Sequence, residues 1–140
     1  MGGRTPAQLY ALVFGALLLL AGILGFFVPG SGASFAVGEE IQRNQLIYLF
    51  DVNGWHNVVH IASGVVGLAL AGTPTSARLY ALGFGALYSL VFVLGLFDSL
   101  DPLFGVVPVN TEDNVLHLGI AIVGIAAGLS SGTEPAPTTA

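Results

Sequence analysis

Charge is what this chain has least of. Only 8% of its 140 residues are charged, against roughly a quarter in a soluble globular domain, and the basic ones are just Arg4, Arg43 and Arg78. A formal charge of −5 with no basic run leaves nothing to neutralise a row of phosphates, which excludes nucleic-acid binding and polybasic docking on lipid headgroups. Cysteine is absent, so disulfides, thiolate metal sites, iron–sulfur clusters and cysteine nucleophiles are excluded together. Ser63, Ser89 and Ser99 lie in no Gly-x-Ser-x-Gly setting, and no glycine loop is followed by Lys-Ser or Lys-Thr, so neither a hydrolase elbow nor a phosphate-cradling loop is present. What is abundant is hydrocarbon: 54% of the residues are hydrophobic and mean hydropathy is +0.86. Water is not the main solvent of such a chain.

A helix needs about 20 largely apolar residues to cross a bilayer, and four stretches meet or approach this. They are residues 7–28, ended by Pro29-Gly30; 53–71, stopped by Gly72-Thr73-Pro74; 77–97, followed by Asp98 and Pro102; and 110–129. The pattern predicts an all-α integral membrane protein with one four-span domain over residues 1–130. Residues 131–140, rich in Ser, Thr, Pro and Ala, read as a disordered tail. The first run exceeds the apolar core of a signal peptide and reads as a retained span. Arg4 and Arg78 flank one side and Arg43 the other, which by the positive-inside rule puts both termini in the cytoplasm. Glu39, Glu40, Asp51, Asp98, Asp101, Glu112 and Asp113 then belong to the outer side. Trp55, Tyr48, Tyr10 and Tyr80 fall near span ends and read as headgroup-level anchors. Residues 41–52 read as a short interfacial helix or an irregular loop, and the hydroxyls of Tyr88 and Ser89 need a neighbouring helix or their own backbone.

The chain also repeats itself. Leu9-Tyr10-Ala11-Leu12-Val13-Phe14-Gly15-Ala16-Leu17 returns as Leu79-Tyr80-Ala81-Leu82-Gly83-Phe84-Gly85-Ala86-Leu87. Val52-Asn53, Asn57-Val58 and His60 return as Val109-Asn110, Asn114-Val115 and His117. Matched Asn and His residues in register are a specific signal within apolar sequence. Since each copy holds two spans, the reading is a four-helix bundle of two tandem, parallel-repeat helical hairpins about a pseudo-two-fold axis along the membrane normal. With Asn53 and Asn110 as N-caps, each histidine lies seven residues further on, roughly 10 Å down its helix.

The Asn-x-x-His at Asn57–His60, the Arg-Leu-Tyr-Ala-Leu-Gly-Phe-Gly at Arg78–Gly85 and the Pro-Val-Asn…Asp-Asn-x-Leu-His at Pro108–His117 give the chain a resemblance to small bacterial four-helix membrane proteins grouped as domain of unknown function 4383. The resemblance spans nearly the whole chain apart from the first loop and the tail. It implies a fold and a place in the bacterial cytoplasmic membrane, and it carries no activity.

His60, Gly64, Gly67 and Ala71 share one helix face, as do His117, Ala121, Gly124 and Gly128. Small residues let membrane helices approach closely, so each histidine is expected to face the bundle. Three roles compete for these polar groups. In the first, Asn53, Asn57, Asn110, Asn114 and the histidines bond across helices or cap helix starts. In the second, His60 and His117 hold a haem axially, or with His56 form a metal site that has Asp51 or Asp113 as a further partner. The third is a proton or ion relay, which the lack of any mid-span acid disfavours. The glycine stripes would either make room for a flat ligand or draw the second and fourth spans together and close that room. The sparse polar chemistry favours a non-enzymatic scaffold, accessory subunit or partner-binding protein of the bilayer. A homo-oligomer or a place in a larger membrane complex fits the same composition.

Overall fold

Four helices begin where a side chain takes over orphan backbone N–H groups, and the computed structural model, which describes residues 3–97 and 101–133, puts them at α1 (Pro6–Gly25), α2 (Gly54–Leu70), α3 (Pro74–Leu94) and α4 (Thr111–Ser130). In α1 the Thr5 hydroxyl accepts from Gln8 N at 3.3 Å and Thr5 N donates to Gln8 Oε1 at 3.1 Å, a reciprocal capping box with Pro6 in the first turn. Thr73 caps α3 through Ser76 N at 3.2 Å, again with proline in the first turn. That cap starts the helix three residues before the expected span. Asn53 and Asn110 cap α2 and α4, accepting from His56 N at 2.9 Å and Asp113 N at 2.8 Å. Asp98 and Ser99, and all of the expected tail beyond Thr133, lie outside the described residues.

Three of the four helices are long and apolar enough to cross a membrane: α1, α3 and α4, of 20, 21 and 20 residues with mean hydropathies of 2.2, 1.6 and 1.5. The fourth, α2, has 17 residues, about 26 Å at 1.5 Å per residue. It falls short because Asn53 fixes its start and the Gly72-Thr73-Pro74 turn fixes its end. Leucines and valines such as Leu9, Leu17, Leu20, Val65 and Leu79 stand exposed on the outside of the bundle, a surface that suits lipid and not water.

The helices pack chiefly as two pairs, α1 on α2 and α3 on α4. Glycine sets the spacing: a Cβ at Gly64 would come 2.5 Å from Leu19 N and 2.6 Å from Gly15 O, and one at Gly85 would come 2.7 Å from Ile125 Cγ1. The small-residue stripes of α2 and α4 are thus spent on α1 and α3. α2 and α4 do not pack extensively on one another, so the stripes do not draw them together.

Between the pairs sit Tyr10 and Tyr80, each 3% exposed. Tyr10 Oη donates to Ile120 O and Tyr80 Oη to Ser63 O, both at 3.2 Å. The hydroxyls fill slots left by glycines on the facing helices, since a Cβ at Gly67 would lie 2.6 Å from Tyr80 Oη and one at Gly124 2.8 Å from Tyr10 Oη. The expectation that these two tyrosines anchor at the headgroups is corrected. Their distance from a span end is right for a belt, but the rings turn inward because the glycine stripe offers each hydroxyl a carbonyl. Tyr48 is 92% exposed and Trp55 partly exposed, and the Trp55 indole donates to Phe35 O at 3.1 Å. Ser89 satisfies its hydroxyl on Gly85 O of its own helix at 2.7 Å.

The first loop is neither an interfacial helix nor irregular. Residues 44–46 (β1) and 50–52 (β2) form a two-stranded antiparallel hairpin with Leu46 opposite Phe50, so the fold is not purely α. Its turn puts Ile47 and Tyr48 at φ of 49° and 61°, a conformation usually supplied by Asn or Gly. At the other end Ser131, the first residue of the expected tail, is buried. Its hydroxyl accepts from Ala7 N at 2.8 Å and donates to Ala127 O at 2.7 Å.

Replacing Gly64 by Val forces α2 off α1 and is expected to lower stability by about 1–3 kcal/mol, measured by reversible unfolding in mixed detergent. Gly83→Ala, where a Cβ meets nothing within 4 Å, is the control and should leave the midpoint unchanged or slightly raised.

Candidate functional site

The end of the bundle that carries the first loop is built on asparagine. Asn53 caps its own helix through Oδ1 while its Nδ2 crosses to Val106 O at 2.7 Å, and Asn110 does the same, its Nδ2 reaching Leu49 O at 2.6 Å. Each cap therefore clasps the loop of the other half. One turn on, Asn57 Nδ2 donates to Gly32 O at 2.9 Å and Asn114 Nδ2 to Phe92 O at 3.1 Å. Gly25 lies directly against the Asn57 amide, and a Cβ at Gly95 would come 2.5 Å from Asn114 Oδ1. Both side-chain oxygens are buried without a partner.

His56 and Asp113 occupy corresponding positions in the first turns of α2 and α4. His56 Nδ1 donates to Asp51 O at 2.8 Å, and because a carbonyl only accepts, the ring carries its proton on Nδ1. Asp113 Oδ2 accepts from Asn110 N at 3.1 Å and from Asp51 N at 3.0 Å. The Asp51 carboxylate faces Arg43 at 3.8 Å, and Arg43 pairs more closely with Asp101 at 2.6 Å. These groups form a polar lid whose atoms are bound to one another or to backbone.

His60 and His117 are different. The His60 ring lies 4.3 Å, centroid to centroid, from His56, and His117, 5% exposed, lies 5.4 Å from the Tyr88 ring of α3. Nδ1 of both is buried and unpartnered. A buried polar atom left unsatisfied costs on the order of 1–3 kcal/mol, and here two recur at equivalent positions. Both rings line two cavities: one of about 330 Å³ between α1 and α4, the other of about 210 Å³ between α2 and α3. The walls correspond. Leu17, Ala21 and Leu116 of the larger cavity answer Leu87, Val91 and Val59 of the smaller, while Leu18 and Ile120 are replaced by Tyr88 and Ser63.

Among the described residues no group of three or more His, Asp or Glu is arranged to hold a metal ion. Of the set His56, His60 and His117 with Asp51 or Asp113, His56 Nδ1 and Asp113 Oδ2 are engaged by backbone partners. Sequence reasoning did not bring Tyr88 and Ser63 to the histidines. Their signal was that the repeat exchanges an aliphatic residue for a hydroxyl at both positions, Leu18 for Tyr88 and Ile120 for Ser63.

Together these features define a helical protein with three membrane-length helices and a capped, histidine-bearing core. The chain belongs to the family described as domain of unknown function (DUF4383), whose profile matches residues 8–130, from the first turn of α1 to the end of α4. No curated protein and no solved structure matches the chain.

Asn110→Ala removes both the α4 cap and the bond to Leu49. A loss of about 1–2 kcal/mol is expected, with proteolysis of the first loop reading out the release of its hairpin.

Proposed function

We propose that this is a non-enzymatic protein of the bilayer, four-span and built from two tandem hairpins, that acts by binding, as a scaffold, accessory subunit or partner-binding protein. One observation carries the reading: among the described residues, Asn53, His56, Asn110 and Asp113 at the first-loop end of the bundle are engaged in caps and cross-loop ties, and no acid, base and nucleophile stand together to run a reaction. The tandem arrangement draws support from contacts that come in matched pairs. Tyr10 reaches Ile120 as Tyr80 reaches Ser63, and Gln8 Nε2 donates to Ala71 O at 3.1 Å as Arg78 Nε donates to Gly128 O at 3.0 Å. The ties of Asn53 and Asn110 are a third pair. With Arg4 and Arg78 on one side, both termini are cytoplasmic on this reading.

The absence of cysteine makes topology directly measurable. Gly3→Cys, Gly72→Cys and Tyr48→Cys all stand at open positions. A membrane-impermeant maleimide should label Tyr48→Cys in intact cells and the other two only after permeabilisation. Labelling of all three from one side would sink the four-span reading.

A second reading, in which His60 and His117 hold a haem or a metal, is favoured by their unpartnered nitrogens. It requires gently extracted protein to carry a Soret band or stoichiometric metal that disappears in His60→Ala and His117→Ala. The binding-protein reading expects neither. One absorbance spectrum with elemental analysis separates the two.

A further inference from the structure

Nδ1 of His60 and of His117 has no hydrogen-bond partner within the protein and both rings border two unfilled spaces, and we infer that the larger space is a binding site for a neutral, bilayer-soluble molecule that carries a hydrogen-bonding carbonyl or hydroxyl on an apolar ring. The inference rests on the membrane reading above and deepens it by naming what is bound.

Four observations converge on this site. The cavity between α1 and α4 has a volume of about 330 Å³, within the range of small-molecule sites, whereas the 210 Å³ space between α2 and α3 is below it. Its wall is hydrocarbon from Leu17, Leu20, Leu24 and Leu116, which favours an apolar body. Its polar features are the imidazoles of His60 and His117 and the Asp113 carboxyl, and Asp113 is already engaged by two backbone N–H groups. A neutral imidazole offers one donor and one acceptor, so the complementary group is a carbonyl or a hydroxyl, not a phosphate or an ammonium. Finally, Leu17, Leu20, Leu24 and Ile47 on its rim are each exposed. The space therefore opens on the lipid-facing side of the bundle, and the ligand arrives from the bilayer.

The corresponding space on the other side is the built-in comparison. There Tyr88 and Ser63 stand where the larger cavity has Leu18 and Ile120. The Tyr88 ring occupies volume beside His117 and reduces the space to one that a ring headgroup does not enter. One ligand per chain is expected. A planar quinone with a short alkyl tail has the required chemistry: two carbonyl acceptors on an apolar ring.

The test uses the full chain in lipid nanodiscs, labelled with ¹⁵N at histidine and titrated with decylubiquinone. The ring nitrogens of His60 and His117 should shift saturably at one equivalent, while those of His56, held by Asp51 O, stay in place. Ala21→Phe puts a ring into the larger cavity, whose wall Ala21 forms, and should weaken binding at least tenfold. Val91→Phe, its counterpart in the smaller cavity, should change it less than twofold. His117→Gln keeps a donor and an acceptor and should retain part of the affinity that His117→Phe loses. A titration that never saturates, equal effects of Ala21→Phe and Val91→Phe, or shifts produced equally by phospholipid alone would overturn the site. Cysteine accessibility reads the spans independently, so loss of the ligand site and loss of the membrane reading are separate results.

Discussion

Every backbone N–H at the start of a helix must find an acceptor, and in a chain this poor in polar residues the few acceptors available decide the architecture. At the first-loop end the burden falls on Asn53 and Asn110. Each satisfies its own helix with one amide atom and secures the opposite loop with the other. Because both ties cross between halves, neither helix pair can move without dragging the other's loop. The histidines two turns further in are set by this clasp. Without it His60 and His117 would have no reason to face common cavities.

Close packing and open space are two outcomes of the same glycine pattern. Gly64 and Gly85 draw helices together within each pair until backbone meets backbone, and the residues thereby consumed are not available between pairs. Between pairs the contact is made by Tyr10 and Tyr80 towards one end and by asparagine at the first-loop end. The middle is left to two imidazoles and the spaces beside them.

The starts of α2 and α4 could be read from sequence because capping is local chemistry and Asn53 and Asn110 each act within four residues; the caps at Thr5 and Thr73 are equally local but were not singled out, and α3 begins before its expected span. The first-loop hairpin could not, since its turn is made by Ile47 and Tyr48, residues that carry none of the usual turn preference. Tyr10 and Tyr80 were misread for a geometric reason. Depth along a helix follows from residue number, but whether a ring points to lipid or to a carbonyl depends on a helix far away in the chain. The register singles out His60 and His117, yet the state of their nitrogens is decided by what α1 and α3 offer, and they offer hydrocarbon and one tyrosine ring.

The two halves differ at one polar position with unusual weight. Where α2 carries His56, α4 carries Asp113, and the backbone of Asp51 serves both, giving its carbonyl to the imidazole and its N–H to the carboxylate. One residue of the first loop is thus the pin between unlike partners. Two copies of the second half set side by side would present two carboxylates without Asp51 to receive them, and two copies of the first half would present two imidazoles. The difference between the halves is therefore a condition of this end of the bundle.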